Sequence, residues 1–519
     1  MTMSTASPEL LSAPPADRAR RLLDQVLPAG IGSWIGGRVV LGNGEHVELH
    51  DAASGELVTT YQDLGVEGTH ELLATARRGA AAWAATDPFE RARVLRAVSS
   101  HIDAHVDELA LLEATTTGKL LRDCMAEASR AAQFFGYYSG WADKILGHTI
   151  PVPGNWLTYT QRVPWGVVVA VTPWNAPLFT AAWNAAAPLA AGNSVVIKPS
   201  EFTPASTIRL AQLAEEAGLP SGVFSVAVGL GSTVGATLTS DPRVGKVSFI
   251  GSVPTGRVVA VAAAKVGTPV VLELGGKSAN IVFADADLDR AALGAVTAIF
   301  ASAGQSCVAG SRLLVERSIH DALVDRIVGL VSKLNVGDPL DERTDVGPII
   351  ARSQLRTIRD LVLAGTTDGA TQLTGQHLPQ HLTEGPLAGG NWVMPTVLDG
   401  VTPDDQIENA EVFGPVLGVG VFDTEDEALA RANGTAFGLA GAVWTADLAR
   451  AHRVAGTVRA GTFWINAYRG IHVAVPFGGF GDSGHGRSSG PGAIEEYTQT
   501  KAVWVPTAPV ASPFPSITF

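Results

Sequence analysis

Three short segments hold side chains that could carry out covalent chemistry: a thiol, a carboxylate and an amide. Cys307 ends the segment Gly304-Gln305-Ser306-Cys307, and its small neighbours would let a substrate reach the thiol. A lone cysteine can be a nucleophile or an inert buried thiol, so this residue alone leaves both interpretations open. The carboxylate lies in Glu273-Leu274-Gly275-Gly276-Lys277 and the amide in Pro173-Trp174-Asn175. A catalytic site requires that these segments meet in the fold.

The composition bounds the class of protein. A chain of 519 residues exceeds what one hydrophobic core supports, so two or more domains are expected. The net charge of -13 argues against nucleic acid or an anionic membrane surface as the main partner. Two cysteines are too few for a disulfide framework, which suits the reducing cytoplasm. No secretory signal and no apolar run of about 20 residues is evident, so we predict a cytoplasmic protein without a membrane span.

The region from Gly166 to Leu274 alternates short β-branched runs with segments of helical length. We predict strands over residues 167–171, 194–197, 223–228, 247–250 and 270–272, and helices over 176–191, 203–217, 232–239 and 255–265. Such a pattern indicates a parallel sheet covered on both faces, with ligands beyond the carboxyl ends of its strands. The candidate residues fall at those ends: Trp174, Asn175, Lys198, Glu201, Gly251, Ser252 and Glu273.

A second α/β pattern follows, with strands predicted over 279–283 and 312–316 and helices over 291–303 and 321–334. The tail segment 501–505 alternates like an edge strand, which could pair with residues 157–163 or with a neighbouring subunit. Residues 1–30 are predicted to be a peripheral extension with at most one short helix, over 16–25. Cys124, inside a predicted helix over 119–145, is interpreted as a small core residue.

Three glycine-containing segments imitate known motifs and are set aside. Gly276-Lys277-Ser278 lacks the first glycine of a phosphate-binding loop, since Val271 stands in its place. The run from Gly229 to Gly235 has one residue too many for a dinucleotide fingerprint, and Gly481-Asp482-Ser483-Gly484 lies outside any all-β barrel pattern. The 12 histidines show no metal-ligand spacing, so no metal is predicted.

Taken in order, the remaining motifs resemble the NAD(P)-dependent aldehyde dehydrogenase superfamily. They cover roughly residues 33 to 505, and the glutamate precedes the cysteine by 34 residues (307 minus 273). The matching motifs are Pro173-Trp174-Asn175, Lys198-Pro199-Ser200-Glu201, Phe249-Ile250-Gly251-Ser252 with Gly256, Glu273-Leu274-Gly275-Gly276-Lys277, Gly304-Gln305-Ser306-Cys307, Glu411-Val412-Phe413-Gly414-Pro415 and Pro476-Phe477-Gly478-Gly479.

The resemblance implies an α/β fold with a Rossmann-like parallel-sheet cofactor domain, a second α/β catalytic domain and a small β oligomerisation flap. The cofactor domain would comprise residues 31–147 and 166–275, and the catalytic domain residues 276–492. Residues 148–165 and 493–519 would form the bridging segments of a homodimer or homotetramer.

The resemblance also implies the catalytic roles. Cys307 would attack an aldehyde as a thiolate, and the Asn175 amide with the Cys307 N–H would hold the oxyanion. Glu273 would activate the water that hydrolyses the resulting thioester. Because relatives that transfer the acyl group to coenzyme A typically lack this base, a hydrolytic enzyme that makes a carboxylic acid is favoured.

Cofactor binding carries over by the same resemblance. Glu201 favours NAD because its charge repels the 2′-phosphate of NADP, so NADP is the weaker alternative. Glu411 would hold the nicotinamide ribose, with Phe413 near the ring. The implied cofactor-binding residues are Trp174, Lys198, Glu201, Gly231, Gly251, Ser252, Gly256, Leu274, Glu411 and Phe413.

The substrate is less constrained by the sequence. A tunnel lined by Ala176, Phe179, Thr180, Trp183, Ser306 and residues 468–473 is predicted to admit an aromatic or branched aldehyde, because relatives often carry a bulky residue at the Ala176 position. Arg469 and His472 suggest a carboxylate-bearing semialdehyde as an alternative, unless Arg469 forms a surface salt bridge. A cysteine esterase and a non-catalytic relative also stay open as functions. Ser488 stands where many relatives carry a glutamate, which leaves the details of deacylation open.

Overall fold

The computed structural model describes residues 12–509 and residue 516, and it contains four β-sheets in that part of the chain. The strands, in chain order, are β1 (Ser33–Ile35), β2 (Arg38–Val40), β3 (His46–His50), β4 (Leu57–Gln62), β5 (Thr149–Ile150), β6 (Trp156–Pro164), β7 (Val167–Val171), β8 (Ser194–Lys198), β9 (Phe224–Val226), β10 (Lys246–Ile250), β11 (Val270–Glu273), β12 (Ala279–Val282), β13 (Arg312–Glu316), β14 (Thr371–Gln372), β15 (Thr396–Asp399), β16 (Val416–Phe422), β17 (Ala440–Trp444), β18 (Thr462–Ile465), β19 (Gly484–His485) and β20 (Thr498–Pro506).

The α-helices cover both large sheets and link them. They are α1 (Pro15–Val26), α2 (Gly65–Ala84), α3 (Pro88–Ala104), α4 (Val106–Thr117), α5 (Leu121–Ser139), α6 (Pro177–Ala190), α7 (Ala205–Glu216), α8 (Ala236–Thr239), α9 (Val253–Lys265), α10 (Leu288–Phe300), α11 (His320–Val331), α12 (Arg352–Asp368), α13 (Gln380–Thr383), α14 (Gln406–Asn409), α15 (Glu425–Ala432), α16 (Leu448–Thr457) and α17 (Ala493–Glu496).

The eight-stranded sheet contains the predicted parallel strands, in the order β19-β11-β10-β7-β8-β9-β1-β2. Strands β7 to β11 pair in parallel with one another, while β1, β2 and β19 pair antiparallel at the two sides. The side chains of β7 and β8 are almost all buried, as expected for β-branched strands between two helical layers. The predicted fold class, with a Rossmann-like parallel sheet, is confirmed.

The seven-stranded sheet has the order β14-β15-β16-β13-β12-β17-β18 and is parallel apart from β14. Strand β13 occupies the predicted range, and β12 ends one residue early. The predicted helix over 291–303 ends at Phe300, where a tight 3-10 turn takes over. The predicted helix over 232–239 is instead a π-helical turn, Gly231–Gly235, followed by α8.

Local signals in the helical region set the element boundaries. Asp87 caps α3 by accepting a hydrogen bond from the Phe89 N–H at 2.8 Å, with Pro88 at the first helical position. Gly118 ends α4 with φ +75°, a left-handed conformation that suits glycine. Cys124 is buried in the core of α5, as predicted.

The three-stranded sheet joins the tail to the middle of the chain. Strand β20 pairs antiparallel with β6, so that Lys501 lies opposite Gln161, and β5 pairs on the other side of β6. Most of β20 is exposed, including Trp504, which contacts the exposed Trp156 edge to face with ring centroids 5.8 Å apart. Of the two partners predicted for the tail strand, the segment 157–163 of the same chain is the one observed.

Two features depart from the proposed division into domains. Strand β19, from the segment assigned to the catalytic domain, pairs with β11 of the first sheet through Glu273 opposite Gly484. Helix α1, assigned to a peripheral extension, buries Ala19 and Leu22 in the main core. This helix is therefore packed against the core, and the first sheet includes a strand from beyond residue 276. Within the described residues, no helix is both long and apolar enough to cross a membrane.

Candidate active site

Cys307 follows a tight backbone turn with unusual dihedral angles. After α10 the chain makes the 3-10 turn Ala301–Gly304, in which Ser302 and Ala303 have φ of +54° and +53°. Non-glycine residues rarely adopt such angles, and their cost of order 1–3 kcal/mol is typical of functional loops. Gly304 follows with φ +69°, and a Cβ there would lie 2.0 Å from the Gly414 carbonyl oxygen. Close packing of these two loops fixes the position of the cysteine.

The Cys307 thiol is held in its neutral form in the free protein. Burial, followed by the Glu411 and Glu273 carboxylates, raises its pKa to about 12. Its own backbone N–H and Arg469 act in the opposite direction. Formation of a thiolate at neutral pH therefore requires added positive charge or a base near the sulfur.

Asn175 is brought beside this turn by β7 and α6. It follows β7, and Pro177 begins α6 two residues later. Its Nδ2 donates to the Gln305 carbonyl at 2.9 Å, and its own carbonyl accepts from Lys119 Nζ at 3.0 Å. Because an amide nitrogen carries two hydrogens, one N–H remains for a ligand in the cleft. Lys119, which also pairs with Glu127, was not identified from the sequence.

Glu273 ends β11 and is 3% exposed. Burial raises the pKa of its carboxyl to about 8, although the Ser488 hydroxyl and Arg487 lower it. The Ser488 hydroxyl donates to Glu273 Oε1 at 2.8 Å. Glu273 Oε2 is buried and has no hydrogen-bond partner among the described residues. A buried carboxylate oxygen without a partner is suited to a water molecule or a ligand.

One cleft gathers Cys307 with most of the predicted cofactor-binding residues. It opens beyond the carboxyl ends of β7, β10 and β11. Of the predicted set, it is lined by Trp174, Asn175, Gly251, Ser252, Glu273, Leu274, Cys307, Glu411 and Phe413. Gln354 and Thr357 of α12 also line it and were not identified from the sequence, since nothing in a helical pattern marks a residue that faces a cleft.

The walls of this cleft show where a dinucleotide would fit. Ser252 caps α9, a helix of 13 residues whose N-terminus faces the cleft and would favour a phosphate. Glu411 Oε1 accepts from the Gly276 N–H at 2.9 Å, and burial raises the pKa of Glu411 to about 7. A Cβ on Gly275 would lie 2.0 Å from Glu411 Oε2, so only glycine lets this carboxylate approach the backbone. Phe413 (φ +51°) packs edge to face on Trp174, with centroids 5.2 Å apart.

Four predicted cofactor residues lie outside the lining of the cleft. Lys198 ends β8, and its ammonium lies 3.6 Å from the Glu201 carboxylate. Burial lowers the pKa of Lys198, and Glu201 opposes that shift. Gly231 begins the π-helical turn after β9, and Gly256 lies in α9 against Leu274, where a Cβ would come within 2.6 Å of the leucine side chain. Lys198 is the last residue of β8, and the other three lie beyond the carboxyl ends of strands of the same sheet.

A second cleft also reaches Cys307. Its apolar wall includes Phe179, Trp183 and Phe477, whose rings meet edge to face with centroids 5.2 Å (Phe179–Trp183) and 5.0 Å (Trp183–Phe477) apart. The predicted tunnel residues Ala176, Phe179, Thr180, Trp183, Ser306, Arg469 and Ile471 line it. Tyr468, Gly470, His472 and Val473, from the same predicted segment, do not line it.

Polar residues on or just before α5 complete the second cleft. Arg130 and Glu127 reach it from this helix and Lys119 from the segment before it, more than 150 residues before Cys307. Helical periodicity in the sequence gives no sign that these side chains face a site. Within the described residues, no group of histidine, cysteine and acidic side chains is arranged to hold a metal.

Comparison with known proteins identifies the family. The model of the aldehyde dehydrogenase family matches residues 40–503, so the chain belongs to this family. A betaine aldehyde dehydrogenase of Cereibacter sphaeroides is 44% identical over 463 residues, which cover 89% of this chain and 94% of that protein. An NAD-dependent aldehyde dehydrogenase of Sinorhizobium meliloti has a similar structure, with a TM-score of 0.89, 39% identity and coverage of 93% of this chain and 96% of that one.

Some related structures contain the cofactor. The betaine aldehyde dehydrogenase of Staphylococcus aureus in complex with NAD+ has a TM-score of 0.93 and 35% identity, covering 97% of this chain and 100% of that one. PnpE of Pseudomonas sp. WBC-3 in complex with nicotinamide adenine dinucleotide has a TM-score of 0.90 and 40% identity, covering 93% and 99%. The predicted family and enzyme class, an NAD-dependent aldehyde dehydrogenase, are thereby confirmed.

Proposed function

We propose that the protein oxidises an aldehyde to a carboxylic acid through a covalent intermediate on Cys307. The observation that supports this most is that Cys307, Asn175 and Glu273 line the same cleft although they come from three separate segments. A thiol, an amide donor and a buried carboxylate are the groups needed for addition, oxyanion binding and hydrolysis.

In the first step the Cys307 sulfur adds to the aldehyde carbon and forms a thiohemiacetal. The free N–H of Asn175 and the Cys307 backbone N–H donate to the oxygen as it gains negative charge. One such donor typically lowers the barrier by about 3 kcal/mol. The fixed turn before Cys307 and the Asn175–Gln305 hydrogen bond hold both donors in place before substrate binds.

NAD would lie in the cleft between Ser252 and Phe413, with NADP as a weaker alternative. The α9 N-terminus would bind the pyrophosphate, Lys198 and Glu201 the adenine ribose, and Glu411 the nicotinamide ribose, while Trp174, Gly231, Gly256 and Leu274 shape the surrounding surface. When bound, NAD would supply the hydride acceptor, and loss of hydride from the thiohemiacetal would leave a thioester on Cys307.

Glu273 then acts as the general base for hydrolysis of the thioester. A general base works best when its pKa lies near the working pH, because it is then partly ionised and still basic enough to accept a proton. The pKa of Glu273, about 8, meets this condition near neutral pH. The unpartnered Oε2 can accept a hydrogen bond from the attacking water, while Ser488 holds Oε1. The products are a carboxylic acid and the free thiol.

The substrate we propose has an aromatic or branched body. The rings of Phe179, Trp183 and Phe477 offer apolar walls, and Ala176 leaves room between them. Betaine aldehyde, named for several relatives, is a second candidate, because aromatic rings can bind a quaternary ammonium group. We also propose that the protein forms a homodimer or homotetramer through the exposed β20–β6–β5 sheet. Its proposed location is the cytoplasm.

NADH formation across a panel of aldehydes, with NADP in parallel, tests this function. Turnover should require NAD, should yield the acid, and should vanish in Cys307→Ala while the variant still binds NAD. Turnover of esters with no aldehyde oxidation would instead identify a cysteine esterase. NAD binding with no turnover of any aldehyde would favour a non-catalytic relative.

A further inference from the structure

Two arginine side chains in the second cleft have no acidic partner. Arg130 reaches it from α5 and Arg469 from the loop after β18. Arg469 Nη1 donates to the Ala301 carbonyl at 3.1 Å, and neither guanidinium pairs with a carboxylate in the described part of the chain. In a protein with a net charge of -13, two unneutralised guanidiniums in the cleft that reaches the nucleophile are unexpected.

The other ionisable groups of this cleft do not cancel the positive charge. Lys119 forms an ion pair with Glu127, so those two side chains balance each other. Burial raises the pKa of Glu273 to about 8 and that of Cys307 to about 12, so both side chains are mainly neutral at pH 7. Glu411, whose pKa is raised to about 7, lines the adjoining cleft and contributes part of a negative charge near Cys307. Among the side chains that line the second cleft, the two arginines therefore carry the main unbalanced charge near pH 7.

The backbone presents Arg469 to the cleft in a fixed way. Its φ of +68° is unusual for a side chain with a Cβ, and such strain is concentrated at functional sites. The hydrogen bond to Ala301 uses one nitrogen and leaves the remaining donors of the fork free. Arg130 is more exposed and would act over a longer distance, at the mouth.

We propose that the substrate is an aldehyde that carries a carboxylate, bound by Arg469 with Arg130 attracting it to the cleft. This inference rests on the proposed function and specifies its substrate class. A guanidinium fork matches the planar carboxylate and binds it through charge-assisted hydrogen bonds. The aromatic walls then suit an unsaturated body between the two groups, and oxidation yields a dicarboxylic acid.

The same charges would disfavour a quaternary ammonium aldehyde. Its cation would meet two like charges, against the attraction of the aromatic rings. Contact of the charged end with the arginines favours an anionic substrate, whereas contact with the aromatic rings favours a cationic one.

The test compares kcat/KM for 4-carboxybenzaldehyde with that for its neutral methyl ester, alongside benzaldehyde, betaine aldehyde and glyceraldehyde 3-phosphate. We expect the free acid to be preferred to the ester by about 10-fold or more, and the preference to weaken as salt is added. In Arg469→Gln the acid-to-ester ratio should fall about 10- to 100-fold, and in Arg130→Gln by less. Arg122→Gln, on the same helix but outside the cleft, is the matched control and should leave the ratio unchanged.

Equal kcat/KM for acid and ester, a preference for betaine aldehyde or for the phosphate, or an unchanged ratio in Arg469→Gln would overturn the inference. The use of a ratio keeps the result meaningful if the variant also alters the reactivity of the thiol. NADH formation with benzaldehyde but without a preference for the acid would refute only the inference. Absence of NADH with every aldehyde would refute the proposed function itself.

Discussion

The hydrogen bond between Ser488 and Glu273 offers the sharpest test of the proposed base. Ser488 is 1% exposed, and its hydroxyl donates to Glu273 Oε1 at 2.8 Å. Ser488→Ala removes this donor and leaves a small apolar group in its place. Because the hydrogen bond supports the ionised carboxylate, its loss raises the pKa of Glu273 above its present value of about 8.

The size of the shift follows from the type of bond. A hydrogen bond to a charged group contributes about 1.5–3 kcal/mol, and about 1.4 kcal/mol corresponds to one pKa unit. The pKa of Glu273 should therefore rise by about one to two units. At pH 8 the ionised fraction would fall from about one half to about one tenth or less, and hydrolysis would slow by about 5-fold or more.

Rapid mixing separates this effect from damage to the nucleophile. The first turnover on Cys307 produces NADH before hydrolysis, so its burst should be preserved in Ser488→Ala. The steady-state rate should fall at pH 8 and recover at higher pH, with the midpoint of its pH profile displaced to alkaline pH. Ser489→Ala is the matched control, since the Ser489 hydroxyl is buried next door but donates to the Val475 carbonyl at 2.6 Å.

A midpoint that stays in place in Ser488→Ala, or that moves equally in Ser489→Ala, would show that this hydroxyl does not set the pKa of the base. Loss of the NADH burst together with the steady-state rate would show that Ser488 supports the Cys307 turn instead. Either result would refute the role proposed for the Ser488 hydroxyl in setting the pKa of Glu273.

Three further predictions concern the base, the cofactor and the cleft. Glu273→Gln should keep the NADH burst and lose steady-state turnover by about 10²- to 10⁴-fold, measured by stopped flow; loss of the burst would argue against its role as the base. Glu201→Gln should raise kcat/KM for NADP relative to NAD by about 10-fold, because it removes a charge that repels the 2′-phosphate; an unchanged ratio would place the selectivity elsewhere. The KM for a carboxylate-bearing aldehyde should increase from pH 6 to pH 9. Over this range Glu411 and Glu273 ionise, with pKa values of about 7 and 8, and their negative charges repel the substrate carboxylate. The KM for benzaldehyde should change little.

The parallel sheet was predictable because burial on both faces leaves a simple signal. The β-branched runs marked the ends of β7 to β11 to within two residues, and residues that follow β7, β10 and β11 line the cleft. The tail strand was visible through its alternation. Strand β19 was not predicted, because a strand of two residues, Gly484–His485, is too short to show a pattern.

Contacts between distant side chains could not be predicted in the same way. Arg130 lies on α5 and Lys119 just before it. Helical periodicity predicts which residues share one face of a helix, but it does not predict which part of the protein that face contacts. The end of α10 at Phe300 depends on the left-handed turn that follows, and Ser302 has no intrinsic preference for that conformation. The Ser488 substitution was visible in the sequence, but its hydrogen bond to Glu273 required the structure.

The stages of the proposed catalytic cycle require different charges around Cys307. Near neutral pH, burial keeps the thiol and Glu273 mainly neutral, so the two arginines carry the main unbalanced charge among the residues that line the second cleft. The same neutrality makes the thiol a poor nucleophile, and Arg469 is one of the few groups that lower its pKa. Ionisation of Glu273 helps hydrolysis but adds a negative charge beside the thiol and the substrate. Because binding of an anion and formation of a thiolate favour a positive cleft, while hydrolysis favours an ionised base, the pKa of about 8 is a compromise between them. Ser488 is a neutral donor and supports the base without adding a further negative charge.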